Sequence, residues 1–350
     1  MSQYNLAFIG YGGMAGWHHQ NLCRAPQVNP FGVYDIDPER TAVGVSKGLK
    51  GYDTADQLLA DPDVDIVITT CPNNFHGIYA IDAMRAGKHV IMEKPATITS
   101  AEFEQVMEVA EATGMQLSVH QNRRWDTDYL TVSNAIRSGL IGTPYLLKSR
   151  VLGSRGIPEG WRTHAETGGG MMLDWGVHLL DQIIHLTPHR LTEVNCRMHH
   201  TLYQEVDDGF IAKLLFANDF SATVEVDTSC FVGEDRWHVR GDLGTLQIKN
   251  WDLDGQIVRA LDKTTNWEEE ILYTSAGPTK TMAPRTRFSE ERAALPVVEE
   301  DWINFYHNYT AALEDREDLL VKPEQVLYII KVMEACFASD RQRETIRINF

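Results

Sequence analysis

The fold is indicated first by residues 5–15, which read Asn5-Leu6-Ala7-Phe8-Ile9-Gly10-Tyr11-Gly12-Gly13-Met14-Ala15. The apolar run Asn5–Ile9 predicts a strand, and the residues after it match the pattern G-x-G-x-x-A. Gly10 permits a tight turn, Gly12 lets the backbone approach a pyrophosphate, and Ala15 lets a helix pack closely on the strand. The N-terminus of that helix favours phosphate charge. We therefore predict that residues 10–15, including Gly13 and Met14, bind a dinucleotide.

The rest of the first third repeats the alternation of strand and helix. The predicted further strands are Phe31–Tyr34, Asp65–Thr69, His89–Met92 and Gln116–Val119. Their nearly continuous apolar content is typical of parallel strands that are covered on both faces. Thr99 and Glu102 have the spacing of a capping box, so a helix is predicted to begin there and to end near Gly114. This order predicts an α/β fold with a doubly wound parallel sheet in a domain of residues 1–122.

After residue 122 the pattern changes to neighbouring strands with few helices between them. The predicted strands are Tyr145–Leu152, Glu193–Met198, Gly209–Phe216, Ser221–Thr228, Trp237–Arg240 and Thr245–Ile248. The predicted helices are Asp128–Arg137, a helix within Gly168–Leu186, Trp302–Leu313 and Pro323–Ser339. This pattern favours a second, α+β domain of residues 123–350 with a large, open and mostly antiparallel sheet. The last helix is a candidate to pack back on the first domain.

Asp35 directly follows the second predicted strand. A carboxylate there can accept hydrogen bonds from the adenosine ribose and disfavours a 2′-phosphate. Because Asp35 is followed by Ile36 and Asp37 rather than by an arginine, we expect NAD rather than NADP. The alternative is a glycine turn with a solvated aspartate.

Two further loops follow strands of the predicted parallel sheet, at the edge where ligands bind. Thr70, Pro72, Asn73 and His76 come after the strand Asp65–Thr69 and are candidates for the nicotinamide ribose, although His76 could equally begin the next helix.

The second loop is Glu93-Lys94-Pro95, after the strand His89–Met92. A lysine at this edge can bind a substrate hydroxyl and stabilise a developing alkoxide, and Pro95 permits a cis peptide bond. The alternative is a surface lysine that is paired with Glu93.

Three glycines, Gly168-Gly169-Gly170, precede a helix that carries Asp174 and His178. Residues four apart share one face of an α-helix, and Asp181 extends the same stripe. A histidine held by an aspartate can remove a hydroxyl proton while hydride leaves the same carbon. The alternatives are a solvated helix face, a buried structural histidine or a metal site. His199-His200 is a further pair, but no spacing matches a zinc motif, so we predict no metal.

Composition excludes other classes of function. The formal net charge is −17, which argues against nucleic acid and anionic membranes as partners. The five cysteines are widely spaced without C-x-x-C, as expected for reduced thiols in the cytoplasm. The N-terminus lacks the basic and apolar regions of a secretion signal, and no apolar run approaches a membrane span. We therefore expect a soluble, cytoplasmic protein.

These motifs together resemble the Gfo/Idh/MocA family, which includes glucose–fructose oxidoreductase and inositol dehydrogenases. The resemblance is carried by Gly10–Ala15, Asp35, Pro72-Asn73 with His76, Glu93-Lys94-Pro95, Gln121-Asn122-Arg123-Arg124-Trp125, and Gly168–His178. It spans both predicted domains. Ala15, in place of the last glycine, is a tolerated departure.

The resemblance implies an N-terminal Rossmann domain, a C-terminal domain whose open sheet forms a homodimer or homotetramer contact, and a site lined by Lys94, Asp174 and His178. It extends the cofactor site to Glu93, Lys94 and Gln121. It also implies sugars, inositols, sugar acids or glycosides as substrates. Arg124, Trp125, Trp161 and Arg162 are candidates to contact them, because tryptophan stacks on sugar rings and arginine binds carboxylates or hydroxyls; domain packing is the alternative.

The sequence therefore predicts an NAD-dependent dehydrogenase that acts on a hydroxyl group of a carbohydrate or polyol. Two alternatives stay open. One is an enzyme that keeps NAD bound, oxidises a sugar transiently and eliminates a glycosidic bond. The other is an NAD-sensing regulator without turnover.

Overall fold

The computed structural model describes residues 3–261, 271–279, 285 and 289–350. Its N-terminal half is a six-stranded parallel sheet in the order β3-β2-β1-β4-β5-β6. The strands are β1 (Tyr4–Ile9), β2 (Val28–Tyr34), β3 (Lys50–Gly51), β4 (Ile66–Thr69), β5 (His89–Met92) and β6 (Leu117–Val119). The helices between them are α1 (Gly13–Asn21), α2 (Pro38–Ser46), α3 (Ala55–Ala60), α4 (Asn73–Arg85) and α5 (Ser100–Thr113), with a short 3₁₀ turn at Leu22–Arg24.

This strand order is that of a dinucleotide-binding Rossmann sheet, so the predicted class of the first domain is confirmed. The predicted start of α5 is also confirmed. Thr99 accepts a hydrogen bond from the Glu102 amide (3.3 Å), Glu102 accepts one from the Thr99 amide (3.2 Å), and Gly114 ends the helix with a φ of 70°. The prediction missed β3, because two residues are too few to form a pattern.

The C-terminal half contains a nine-stranded sheet in the order β16-β13-β12-β11-β7-β10-β9-β8-β17. Among the neighbours paired in it, β7 and β10 run parallel and the others run antiparallel. The predicted large, mostly antiparallel sheet is thus confirmed. The strands are β7 (Pro144–Leu152), β8 (Leu191–His199), β9 (Gly209–Phe216), β10 (Ser221–Asp227), β11 (Trp237–Gly241), β12 (Gly244–Ile248), β13 (Gly255–Ala260), β16 (Glu290–Ala293) and β17 (Ile346–Arg347), and β14 (Leu272–Thr274) and β15 (Gly277–Thr279) form a separate hairpin.

Helices in this half pack on the sheet and also reach the first half. They are α6 (Thr127–Arg137), α7 (Val177–Leu186), α8 (Asn304–Leu313) and α9 (Pro323–Gln342), with 3₁₀ turns at Asn122–Trp125, Trp161–Thr163 and Ala165–Thr167. The predicted helix within Gly168–Leu186 differs at its start, because Met172–Gly176 is wound as a π-helix before α7 begins.

The two halves are joined by α8 and α9, which lie against the parallel sheet. The Tyr309 hydroxyl donates to the Val90 carbonyl (3.1 Å), and the Ser118 hydroxyl donates to the Val321 carbonyl (2.9 Å). Glu334 of α9 accepts a hydrogen bond from the Ser100 hydroxyl (2.7 Å). These contacts bring the carboxyl ends of β1, β4 and β5 opposite the π-helical turn. Across residues 3–261, 271–279, 285 and 289–350, no helix has the length and apolar character that would let it cross a membrane.

Candidate active site

A cleft of about 530 Å³ lies where the carboxyl ends of the parallel strands face the π-helical turn. The predicted site residues that line it are Gly10, Gly12, Gly13, Met14, Asp35, Thr70, Pro72, Asn73, His76, Glu93, Lys94, Trp161, Arg162 and Asp174. A larger cavity of about 970 Å³ lies between α9, β8 and the other side of the 165–173 segment. The smaller cleft is the candidate site, because it contains the glycine loop and the Lys94–Asp174 pair.

The glycine loop has the shape and the free amides of a phosphate cradle. Gly10 has a φ of +92°, and a Cβ there would lie 2.7 Å from the Cys71 amide nitrogen, so only glycine fits. Helix α1 begins at Gly13 without a side-chain cap, and a Cβ on Gly13 would meet nothing within 4 Å. Open space in front of uncapped N–H groups fits a dinucleotide pyrophosphate. Ala15 is fully buried, as expected for a helix that packs tightly on β1.

Asp35 and Arg40 line the same end of the cleft. The Asp35 carboxylate accepts hydrogen bonds from the Tyr11 amide (2.6 Å) and the Asp37 amide (2.9 Å), so it also holds the glycine loop. The Arg40 guanidinium lies 4.0 Å from the position of a Cβ on Gly12. Sequence reasoning missed Arg40, because it looked for an arginine directly after Asp35 and this one comes from the first turn of α2.

The loop after β4 is tied to both neighbours. The Thr70 hydroxyl donates to the Gly10 carbonyl (2.6 Å), and the Asn73 amide donates to the Gly168 carbonyl (2.8 Å). The ring nitrogens of His76 lie 2.9 Å from the Pro95 carbonyl and 2.8 Å from the Cys71 carbonyl. Burial lowers the pKa of His76, so its neutral ring donates to one of these carbonyls. His76 therefore links the two cofactor-side loops.

Aromatic and apolar walls of the cleft were also missed. Tyr34, Ile36, Phe75 and Tyr79 line it, and the rings of Phe75 and Tyr79 lie 6.4 Å apart. The signal was available in part, since Phe75 and Tyr79 are four residues apart on α4 and therefore share one face. Such a surface suits an adenine or nicotinamide ring.

Lys94 connects the two halves of the site. Its peptide bond to Pro95 is cis, as the sequence allowed. Its ammonium donates to both the carbonyl and Oδ1 of Asp174, each at 3.0 Å, and Arg162 Nε lies 3.5 Å from Asp174 Oδ2. Burial opposes the ionisation of Asp174, but the charges of Lys94 and Arg162 outweigh it and lower the pKa of this carboxyl. Asp174 is therefore an ionised anchor for two cations.

His178 is only 4% exposed, and within the described part of the chain its Nδ1 has no hydrogen-bond partner. Burial, together with the charges of Lys94 and Arg123, holds the pKa of His178 well below its usual range. The ring is therefore neutral near pH 7, which is the form in which an imidazole nitrogen can act as a proton acceptor.

The predicted polar stripe of Asp174, His178 and Asp181 is corrected by the structure. Asp174 binds Lys94 and Arg162, and Asp181 binds Arg124, so neither carboxylate holds the His178 ring. For Asp174 the physical reason is the π-helix at Met172–Gly176, in which hydrogen bonds span five residues, so that positions four apart no longer superimpose. Asp181 lies with His178 on the regular helix α7, and there both carboxylate oxygens are bound by Arg124 instead.

Buried polar atoms without a partner in the structure's described residues follow one another at the end of β6. They are His120 Nε2, both amide atoms of Gln121, Asn122 Oδ1 and Arg123 Nε. Leaving such atoms unpaired is costly, so their clustering points to a polar ligand. Gln121, a predicted cofactor residue, does not line the cleft, and its side-chain amide is buried.

Two of the predicted substrate residues lie elsewhere. Arg124 donates to both oxygens of Asp181 of α7 (2.8 and 2.7 Å) and to Gln325 of α9 (2.9 Å). Its guanidinium therefore links α7 to α9. Trp125 is 7% exposed and packs against Phe305. Both serve packing, the alternative that the sequence left open. The neighbouring Arg123 instead stacks 4.2 Å over the Trp175 ring, which lies beside His178.

Glu93 is buried next to Lys94 and is hydrogen-bonded to two buried histidines. Its Oε1 receives His18 Nε2 (2.7 Å) and His120 Nδ1 (2.8 Å), and the Tyr306 hydroxyl lies 2.7 Å from His18 Nδ1. Burial opposes ionisation of Glu93, but the two histidines outweigh it and hold its pKa well below the usual value. These separations are hydrogen-bond distances, shorter than the about 3.3 Å between ligands of a tetrahedral zinc site. Glu93 therefore stabilises the loop that carries Lys94.

Comparison with family models assigns residues 4–121 to an oxidoreductase family with an NAD-binding Rossmann fold. Residues 129–247 match the GFO/IDH/MocA C-terminal domain. The two matches fall on the two sheets described above.

Individual relatives agree with these matches. The crystal structure of an NAD-binding protein from Listeria innocua is 38% identical, with a TM-score of 0.96 over 99% of this chain and 100% of that chain. The scyllo-inositol 2-dehydrogenase (NADP(+)) of Bacillus subtilis is 27% identical over 84% of this chain and 81% of the relative. The 1,5-anhydro-D-fructose reductase of Ensifer adhaerens is 28% identical over 57% of this chain and 62% of the relative.

Proposed function

The chain belongs to the Gfo/Idh/MocA family of NAD-binding oxidoreductases, and we propose that it oxidises a hydroxyl group of a carbohydrate or polyol with NAD. The observation that carries this proposal is the pairing of Lys94 with Asp174 at the cofactor cleft, beside a buried and neutral His178.

Each of these side chains has a distinct part in the proposed reaction. His178 takes the hydroxyl proton, for which its low pKa keeps it unprotonated. The Lys94 ammonium, fixed by Asp174, stabilises the alkoxide that forms. The nicotinamide, when bound, supplies the acceptor for the hydride that leaves the same carbon. In the opposite direction His178 returns the proton to the carbonyl oxygen.

The polar atoms around this site support a polyhydroxyl substrate. Arg123 Nε is a donor, Asn122 Oδ1 is an acceptor and the Gln121 amide is both, and all are buried and unpaired within the described ranges. Sugar hydroxyls both donate and accept, so they match such a mixed set. Trp161 lines the cleft and offers an aromatic face to a sugar ring. The B. subtilis and E. adhaerens relatives act on an inositol and an anhydro sugar by name.

NAD is the proposed cofactor, since the Asp35 carboxylate at the cleft repels a 2′-phosphate. Arg40 on the same wall is the feature that would favour NADP, and the B. subtilis relative is an NADP(+) enzyme by name. The ratio of kcat/KM for NAD to that for NADP measures which group dominates. We expect a ratio above one.

We propose a domain boundary near residue 122, with domains of residues 1–122 and 123–350, and assembly into a homodimer or homotetramer through the nine-stranded sheet. The sheet offers a broad face for such a contact, and light scattering after size-exclusion chromatography tests it. A cytoplasmic location is proposed from the cysteines, which are free in the structure.

The test of function is NADH absorbance after the protein and NAD are mixed with sugars, inositols, sugar acids and glycosides. The His178→Ala variant is run beside it to measure background. A rise with one class of substrate that vanishes in the variant supports the proposal. Turnover equal in both proteins refutes the role of His178. A product formed without net NADH favours transient oxidation and elimination instead, and saturable NAD binding without any product favours a regulator.

A further inference from the structure

Asp207 lies just before β9 and has 4% of its surface exposed. It is buried against the start of the π-helical turn Met172–Gly176, which carries Asp174. Its carbonyl accepts a hydrogen bond from the Met171 amide (2.9 Å), and its carboxylate accepts one from the Met172 amide (2.7 Å). Gly170 has a φ of +99°, and a Cβ there would collide with Asp207 Oδ1. The last glycine of Gly168-Gly169-Gly170 thus makes room for this carboxylate.

The two amides held by Asp207 belong to the turn that presents the reacting groups. The Asp174 amide donates to the Gly170 carbonyl (3.1 Å), and His178 follows on the same continuous helical segment. An ionised carboxylate at the N-terminal end of such a segment is stabilised by the free N–H groups and by the helix dipole. A protonated carboxyl accepts the same hydrogen bonds more weakly, because it carries no net charge.

We propose that Asp207 is a positioning residue whose ionised carboxylate holds the turn with Asp174 and His178 in its active arrangement. The role of this turn in catalysis rests on the function proposed above. Asp207 does not line the cofactor cleft, so it acts on the reaction through the turn.

The surroundings make this carboxylate titrate near neutral pH. Burial is the main cause that raises the pKa of Asp207 to about 7, and the charge of Asp208 adds to it, although the Met172 amide opposes both. Asp208 itself is bound by the amides of Thr201 (3.0 Å) and Tyr203 (3.2 Å). Other titratable side chains lie on the segments around Asp207 or on the 970 Å³ cavity that it lines. They are Arg162, His199, His200, Glu205, Lys331, Glu334, Asp340 and Arg341.

The direction of the effect on stability separates positioning from ordinary structural support. The pKa of Asp207 in the folded protein (about 7) lies above the about 3.9 of an unfolded aspartate. Its contribution to stability is therefore full below about pH 3.9 and is lost as pH rises through 7. At pH 8 the ionised carboxylate therefore lowers stability against global unfolding, in which Asp207 reaches water, and Asp207→Asn removes that effect. A local opening of the turn that leaves Asp207 buried loses only the Met171 and Met172 amide bonds, which lower its pKa, so ionisation opposes that opening.

The experiment compares Asp207→Asn with Asp208→Asn, a neighbouring buried carboxylate that binds a different loop. At pH 8 we expect Asp207→Asn to melt at the same or a higher temperature and to lose about ten- to hundredfold in kcat. The wild-type kcat should fall as pH drops through about 7, and this fall should be absent in Asp207→Asn. In Asp208→Asn the fall should persist but move to lower pH, because the Asp208 charge is one cause that raises the pKa of Asp207.

A second readout does not need turnover. In the wild type, the protection factors of the amides of residues 171–174 against hydrogen exchange should decrease as pH falls through about 7. In Asp207→Asn they should stay at one lower value across this pH range. If the wild type turns over none of the substrates, the proposed function fails, but this exchange still decides the role of Asp207. The proposal would be overturned if, in Asp207→Asn, the protection factors of residues 171–174 matched those of the wild type and kcat still fell near pH 7. A lower melting temperature at pH 8 would show structural support alone.

Discussion

Two groups of histidine and carboxylate lie on either side of Lys94, and they differ in how completely they are hydrogen-bonded. In the first, Glu93 Oε1 receives both His18 and His120 at 2.7 and 2.8 Å, and Tyr306 completes His18. In the second, Asp174 binds Lys94 and Arg162, and His178 Nδ1 is buried with no partner among the residues that the structure describes.

This difference distinguishes a group that stabilises the fold from a group that is available for the proposed reaction. A carboxylate whose oxygen already receives two imidazoles has little freedom to serve a substrate, and its loss is felt as stability. A neutral imidazole left without a partner can accept a substrate proton. His120 Nε2 is also unpartnered within the described residues, but His120 is held to Glu93 through Nδ1, whereas no carboxylate holds the His178 ring. The partner of the carboxylate therefore distinguishes the two groups: Glu93 binds histidines and Asp174 binds cations. Three substitutions test this contrast and a fourth tests the cofactor end of the same cleft, from the largest expected effect to the smallest.

His178→Asn should lower kcat by about a hundred- to ten-thousandfold, because it removes the proton acceptor. NADH affinity should change little, since His178 does not line the cofactor cleft. Steady-state kinetics and fluorescence titration with NADH measure both quantities. His189→Asn, on an exposed residue nearby, is the control. A full kcat in His178→Asn would remove the distinction between the two groups.

Lys94→Met should lower kcat by about a hundred- to thousandfold through lost stabilisation of the alkoxide. It should also raise the pKa of His178, because the Lys94 charge is one of the causes that lower it. Imidazole NMR signals report that pKa directly. Lys94→Arg keeps the charge and should leave the His178 pKa low, so equal titration in both variants would contradict this account.

Glu93→Gln should lower the free energy of unfolding at pH 7 by about 3–5 kcal/mol, since one partner of a buried network loses its charge. The folded-state pKa of Glu93 is well below the usual value, so its contribution is present above about pH 4.3 and is lost as pH falls through the folded pKa. Urea denaturation at pH 7 and in acid measures it. Glu108→Gln, an exposed carboxylate on α5, should change neither; an equal loss there would indicate a general effect of charge.

Asp35→Asn should shift the ratio of kcat/KM for NAD to that for NADP toward NADP by about tenfold, because it removes repulsion of a 2′-phosphate. The amide oxygen can still accept the hydrogen bond from the Tyr11 amide. Arg40→Ala should move the ratio in the opposite direction. An unchanged ratio in both variants would mean that neither residue meets the adenosine ribose.

Much of the fold was accessible from local pattern. The strand ends at Ile9, Tyr34, Thr69 and Met92 were predicted because apolar runs stop where loops begin. The outline of the cleft followed, since carboxyl ends of parallel strands meet at one edge. The polar stripe was wrong for Asp174 because a π-helical turn has no clear signature in sequence. It was wrong for Asp181 because Arg124, 57 residues away, binds that carboxylate.

Arg40 and Arg123 lie near the site but were not identified as site residues from the sequence. Arg40 reaches the cleft from a helix, and Arg123 rather than Arg124 stacks on Trp175. Which of two adjacent arginines faces a site depends on the backbone conformation of a short 3₁₀ turn at Asn122–Trp125. Residue spacing alone does not resolve such a turn.

The sequence by itself determined the parallel sheet, the glycine cradle and the residue types on which the proposed reaction depends, because these follow from periodicity and from short contiguous motifs. Only the tertiary structure decided which partners each group has. Asp174 pairs with Lys94 from 80 residues away, and Glu93 with His18 from 75 residues away. Contacts of that separation arise when strands and helices pack, and they set burial and charge environment. They therefore decide which histidines are bound to a carboxylate.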